Sequence, residues 1–323
     1  MSDIELATTT ARIGTSDLEV RRLGLGGNTF GMTSDAAESF AVLDAFVAGG
    51  GSLIDTADSY SSWVPGNSGG ESETILGEWL RARGSRDDVV LATKVSGHPD
   101  FPGLAPENIA RAADASLRRL QTDHIDLYYA HHDDASTPLV DTLAAFDALV
   151  RAGKVRYLGI SNYGPDRIAE WMSVAQDNGF DLPVALQPHY NLVHRQTYER
   201  TLASLAVTHD LGVFPYFSLA GGFLTGKYRT AEDAQGVVRG SAVGPYLTTE
   251  GLGVVNTLGE VAAAHHAPLA TTALAWLLAK PTVTAPLASA TSPAQLGDLL
   301  AAVELTLTRD EVALLDDASQ AFA

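Results

Sequence analysis

The chain has 323 residues, 46% of them hydrophobic and 19% charged, an ordinary globular composition with enough apolar surface for a large core. Its formal charge of −18, from 39 acids against 21 bases, argues against nucleic-acid binding, which depends on neutralising phosphates with Lys and Arg. The absence of cysteine excludes disulfides, thiolate metal sites and thiol catalysis.

In chain order, residues 11–20 alternate around a turn and predict a β-hairpin placed to plug a barrel floor. Short aliphatic runs then predict strands over 23–26, 52–55, 89–93, 125–129, 155–160, 184–186, 213–216 and 283–287. Between them, helical spacing predicts helices over 35–48, 72–83, 106–120, 138–152, 165–176, 196–209, 252–265 with 271–278, and 309–319. Pro106, Pro138 and Pro165 suit first turns, and Gly153 and Gly212 suit left-handed caps. About eight strand–helix alternations predict an α/β fold, a (β/α)8 TIM barrel forming a single domain over 1–323. Two long segments, 61–70 and 220–251, leave strand C-terminal ends, the face of such a barrel where loops bind or cover ligand.

No run approaches the roughly 20 apolar residues of a membrane span. The longest candidate, 267–279, is interrupted by Pro268, Thr271 and Thr272. The first twenty residues carry Asp3 and Glu5 rather than an unbroken apolar stretch, so no secretory signal is expected and the protein reads as soluble and cytoplasmic, with no membrane or nucleic-acid partner. Nothing in the chain selects a monomer over a homo-oligomer.

Asp55, Lys94 and His131 each follow a separate strand run, and Tyr60 lies five residues beyond Asp55. In a parallel barrel the carboxyl ends of the strands converge, so these groups become neighbours, with Asn162, Gln187 and Tyr216 at the same level. A phenol near pKa ~10 is a weak acid at neutral pH. A buried lysine beside it would favour phenolate and pull that value down, an aspartate would keep the lysine charged, and a histidine would orient a carbonyl. Taken alone, Asp55 and Tyr60 read first as a cap and a pocket aromatic, but a strand-end lysine is almost never buried without a partner. His131-His132-Asp133-Asp134 is not expected to hold a metal, because adjacent residues leaving a strand diverge. Ser161 lacks a histidine in a nucleophilic arrangement. Phe30, Trp63, His132 and Tyr190 are candidates for a substrate pocket, with a core or lid role equally open for Phe30, Trp63 and Tyr190.

Over nearly its full length the chain resembles the aldo-keto reductase family. The resemblance is carried by Ile54-Asp55-Thr56-Ala57 with Tyr60, by Gly70-Glu71-Ser72-Glu73, and by the segments 117–128, 153–162 and 219–228. It implies a catalytic set of Asp55, Tyr60, Lys94 and His131. It also implies an NADP(H) cofactor, with NAD(H) as the alternative, and reversible hydride transfer to a small-molecule aldehyde or ketone without a metal. Ser161, Asn162 and Gln187 would hold the carboxamide. Tyr216 would stack on the nicotinamide, Phe217 and Ser218 would join the cofactor contacts, and the 219–227 loop, with Leu219, Gly221, Gly222 and Lys227, would wrap the pyrophosphate; Lys94, Lys227 and Arg229 could supply a local basic pocket for the anionic cofactor. Where relatives commonly place a cation for the 2′-phosphate, residues 287–295 have none; Ser289, Thr291 and Gln295 can only hydrogen-bond there. Ser61 stands where relatives often have Gly, His132 where many have Trp, and Phe217-Ser218 where many have Ser-Pro. Channel-associated relatives imply an alternative role, a redox-sensing subunit that docks a partner protein.

Overall fold

The computed structural model describes residues 8–237 and 240–323. Two strands, β1 (Thr10–Arg12) and β2 (Glu19–Arg21), form the expected antiparallel hairpin. The chain then alternates β3 (Gly24–Gly26), α1 (Ala36–Ala48), β4 (Leu53–Asp55), α2 (Glu71–Arg83) and β5 (Val90–Val95). A short antiparallel ribbon, β6 (Gly97–His98) with β7 (Phe101–Pro102), leads to α3 (Pro106–Leu120), β8 (Ile125–Ala130), α4 (Leu139–Arg151), β9 (Val155–Ser161), α5 (Pro165–Asn178) and β10 (Pro183–Gln187). A π-helical turn, Tyr198–Leu202, runs into α6 (Ala203–Thr208), followed by β11 (Gly212–Val213). The last third holds α7 (Gly240–Val243), α8 (Thr249–Ala264), α9 (Leu269–Leu278), β12 (Leu287–Ala288), α10 (Pro293–Leu300) and α11 (Arg309–Ala318).

Eight of these strands make one parallel, curled sheet in the order β11-β10-β9-β8-β5-β4-β3-β12. Its two edges meet through a parallel bridge between Val213 and Val283 and a bond from Leu287 N–H to the Pro215 carbonyl at 2.9 Å. This curled parallel sheet is consistent with a (β/α)8 barrel.

Side-chain alternation along the strands sorts residues into two layers. Leu53, Val90, Ala92, Leu127, Tyr129 and Ala185 pack together inside the sheet, joined by Ile13, Leu18 and Val20 of the hairpin. Ile54, Leu91, Tyr128 and Ala130 face the helices. The hairpin therefore stops the amino-terminal end of the sheet. Gly212 has no left-handed backbone and does not cap a helix; Asp210 takes the positive φ (48°) instead. Glycine suits 212 because a Cβ there would lie a tight 3.0 Å from the Gly14 amide of the hairpin.

Other expectations shift at their edges. Pro215 and Pro286 shorten the strands expected at 213–216 and 283–287, since proline withholds a ladder donor. Helix α10 was not anticipated: Pro293 occupies its first turn, where its fixed φ suits a helix start. The segments 220–237 and 240–251 are folded into 3-10 turns and short helices, with Phe223, Leu224 and Val243 wholly buried. No single helix among the described residues is long and apolar enough to cross a membrane; α8 and α9 together have the composition but meet at 94°.

Helices α2 and α3 come very close at Gly77, where an added Cβ would lie 2.0 Å from the Arg119 carbonyl oxygen. Gly77→Ala is expected to lower the free energy of unfolding by about 1–3 kcal/mol through overpacking; urea unfolding of the two proteins measures it.

Candidate active site

Inward parity explains why a lysine, a carboxylate and a histidine meet. Asp55 shares the face of Leu53 on β4, Lys94 that of Val90 and Ala92 on β5, and His131, just after β8, that of Leu127 and Tyr129. In the same way Gln187 follows Ala185 on β10. Lys94 has no exposed surface and Asp55 very little.

The Lys94 ammonium donates to three acceptors: Asp55 Oδ2 at 2.7 Å, the Thr56 carbonyl at 2.7 Å and Tyr60 Oη at 2.9 Å. It also lies 4.7 Å from the centroid of the Tyr60 ring. Gln187 Nε2 donates to the second oxygen of Asp55 at 2.9 Å, so the carboxylate is held on both sides. Tyr60 sits partly buried at the end of the turn that leaves β4, its ring edge-on to Trp63 and His131.

Burial opposes the lysine's charge, but Asp55 and Tyr60 outweigh it and Lys94 stays above its ordinary pKa. For Tyr60 the balance differs from expectation. Burial pushes the phenol up more than Lys94 pulls it down, and Asp55 adds to the rise, so the net displacement is upward. Burial, helped by Lys94 and His132, holds His131 well below the usual imidazole range, so the ring is neutral. Its Nδ1 is buried without a hydrogen-bond partner.

Around this centre Asn162, in a left-handed conformation (φ 58°), donates to the His131 carbonyl at 2.9 Å and accepts from Tyr216 Oη at 2.8 Å. Ser161 Oγ donates to the Gln187 carbonyl at 3.0 Å. The Tyr216 ring is backed by His189, itself stacked on His194 with centroids 3.7 Å apart. Burial and the neighbouring His194 bring His189 down to about 4, so this stack is uncharged at neutral pH. Neither histidine stood out in the sequence; the signal was His189 two residues beyond a strand-end glutamine.

Of the other expected residues, Phe217 takes φ 55° and is 42% exposed, while Ser218 is buried with its hydroxyl on the Pro215 carbonyl. Leu219 is partly buried and leads into Gly221 and Gly222, both at positive φ; a Cβ on Gly222 would lie 3.4 Å from Lys227 Nζ. Ser289 Oγ donates to Asn28 Oδ1 at 2.7 Å, and Gln295 Oε1 accepts from the Thr291 amide at 2.9 Å. Trp63 is 58% exposed and His132 stacks on His131 at 4.5 Å. Phe30 and Tyr190, by contrast, are buried in the core between sheet and helices. Ser61 has φ 70°, a conformation that favours glycine, and its hydroxyl is tied to the Phe30 carbonyl at 2.8 Å.

A cleft of about 530 Å³ opens on the flank between residues 67–69, α2 and the ribbon, sharing none of the residues around Lys94; the convergent polar groups, not that cleft, mark the site. Among the described residues no group of three or more His, Asp or Glu side chains is arranged to hold a metal ion.

A sequence model of the aldo/keto reductase family matches residues 22–320. The chain is 36% identical to "Uncharacterized oxidoreductase YrpG" of Bacillus subtilis, over 94% of each chain. It is 32% identical to "Protein tas" of Escherichia coli, over 96% of this chain and 97% of that protein. It is also 32% identical to "Probable voltage-gated potassium channel subunit beta" of rice, over 91% and 90%.

Proposed function

Since the chain belongs to the aldo/keto reductase family, we propose that it is an NAD(P)H-dependent oxidoreductase that interconverts an aldehyde or ketone and its alcohol, with Tyr60 as proton donor. The observation that carries this reading is the fully buried ammonium of Lys94 bonded at once to Asp55 and to the Tyr60 phenol. In reduction the proton leaves Tyr60 Oη for the carbonyl oxygen. Lys94 then stabilises the phenolate, and Asp55 keeps the lysine charged in a desolvated place. With no acceptor for Nδ1, the neutral His131 carries its hydrogen on Nε2 and would donate a hydrogen bond, not the proton, to the same oxygen, orienting and polarising the substrate.

The residues present fit a nicotinamide dinucleotide. Ser161 and Asn162, with Gln187 beside them, offer polar groups for a carboxamide, and Tyr216 presents a flat ring already backed by His189. The positive-φ glycines 221 and 222 beside the Lys227 ammonium make a concavity suited to phosphate oxygens. When bound, the reduced cofactor supplies the hydride. Trp63 and His132 at the mouth are assigned to the substrate side.

Assay of a varied carbonyl panel with NADPH and NADH in parallel tests the proposal, with cofactor oxidation expected for both. The turn at 287–295 holds no cation, and Ser289 and Gln295 are already engaged internally, so discrimination should be limited. A preference for NADPH above about a thousandfold, ~4 kcal/mol, would overturn that part. The likeness to the rice channel subunit supports a second reading, a cofactor-binding sensor that docks a partner protein. No turnover across the panel, with tight cofactor binding and a copurifying protein, would favour it, and the intact Asp55–Lys94–Tyr60 set weighs against it.

A further inference from the structure

Behind the Asp55–Lys94–Tyr60 set lies a second acid with no assigned task. Asp58 stands midway along the turn that carries both the Thr56 carbonyl, an acceptor of Lys94, and the Tyr60 phenol. Its own amide donates to the Lys94 carbonyl at 3.2 Å. The side chain has no exposed surface, and no well-formed hydrogen bond reaches either carboxyl oxygen, the Ser59 amide making only a minor contact that favours the charge. The hydroxyl of Tyr128, on the helix-facing side of β8, is likewise buried and without a partner. The two groups lie within electrostatic reach of each other.

The charges facing Asp58 come from three elements. Glu73 on α2 is wholly buried, accepting from Thr93 Oγ1 at 2.6 Å and from Arg119 Nε of α3 at 2.7 Å. Lys94 on β5 is paired with Asp55. Each cation is thus already matched by one carboxylate, and an ionised Asp58 would add an unpaired, desolvated negative charge. A protonated Asp58 needs only one acceptor and one donor, and a phenol hydroxyl can be both.

We propose that Asp58 is a positioning residue that works as a neutral carboxylic acid: it is bridged to the Tyr128 hydroxyl through one buried water, and pegs the Thr56–Tyr60 turn so that Tyr60 meets Lys94. Burial, with the charge of Glu73 next in size, raises the Asp58 carboxyl well above its ordinary value, in accord with the hydrogen-bond count. Its positioning role rests on the reductase reading; its protonation state does not.

Difference infrared spectroscopy of the full chain at neutral pH tests the neutral state. A carbonyl stretch of a protonated carboxylic acid is expected in the native protein and should be missing in Asp58→Asn; its absence from the native protein overturns the proposal whatever the enzyme's activity. The Asn variant keeps a neutral hydrogen-bonding group, so kcat and the pH profile should be retained, whereas Asp58→Ala should lower kcat by about tenfold, the scale of one misaligned contact. A shifted pH profile in Asp58→Asn would mean that an ionised Asp58 serves the reaction. A lower Tm with unchanged kcat in Asp58→Ala would reduce the residue to a structural part. If Asp58→Ala does not fold, the infrared band and the Asn pH profile still decide. Turnover by the native protein that depends on Tyr60 keeps the reductase reading intact even if these results go against Asp58.

Discussion

Tyr60→Phe is expected to lower kcat for carbonyl reduction by roughly a hundred- to ten-thousand-fold, the usual worth of a positioned general acid, with little change in cofactor dissociation constant. The substitution removes one oxygen and keeps the ring edge-on to Trp63 and His131, so folding should suffer the loss of the charged hydrogen bond from Lys94, about 1.5–3 kcal/mol, and of a long contact to Asp55. Steady-state kinetics on a reactive aldehyde beside a fluorescence titration of the cofactor separates the two effects. A variant that reduces the aldehyde at near-native rate would remove Tyr60 from the mechanism. The pH dependence has a definite sign. In the proposed mechanism reduction needs the protonated phenol, and burial holds that phenol above its ordinary value of 10.0. The native rate should therefore not fall through Tyr60 ionisation until the pH passes that value.

Lys94→Met should damage both activity and stability. The substitution fills the stem's volume with an apolar chain but leaves Asp55 buried with, among the described residues, Gln187 and Tyr60 as its remaining partners, the latter at 3.5 Å. Breaking a buried pair in this way typically costs about 3–5 kcal/mol, and kcat should fall at least as far as in Tyr60→Phe, since nothing then stabilises the phenolate. Because the folded-state pKa of Lys94 is raised, its stabilising contribution is complete below the unfolded lysine value of 10.5 and is lost as pH climbs through the folded one. Denaturant unfolding should accordingly show the native–variant gap constant across neutral pH and narrowing in strong alkali. A gap of zero at neutral pH would mean that the ion pair contributes nothing.

Much of this was readable before the fold was known, for a physical reason: period-two alternation assigns every strand residue to one of two faces. Once Leu53, Val90 and Leu127 point inward, so must Asp55, Lys94 and His131. Reading broke down where local chemistry was ambiguous. Pro293 marks a turn as readily as a helix start, and strands of two residues, such as those of the ribbon at 97–102, leave no periodic trace. Gly212 resembles a helix cap in sequence, but only the approach of the hairpin reveals why it lacks a side chain. The phenol's displacement was misjudged because a charged neighbour is visible in a sequence, whereas the depth of burial that opposes it is not. Asp58 escaped notice for the same reason, since an acid in a polar-looking turn gives no hint of being sealed from water.

Ile13, Leu18 and Val20 close the amino-terminal side of the inner layer, so the ligands of the proposed reaction would reach Lys94 and Tyr60 from the strand carboxyl ends. Two ligands sharing one vestibule must queue. In the proposed reaction a cofactor seated on Tyr216 beneath the carbonyl would bind first and leave last, an order that product-inhibition patterns would test.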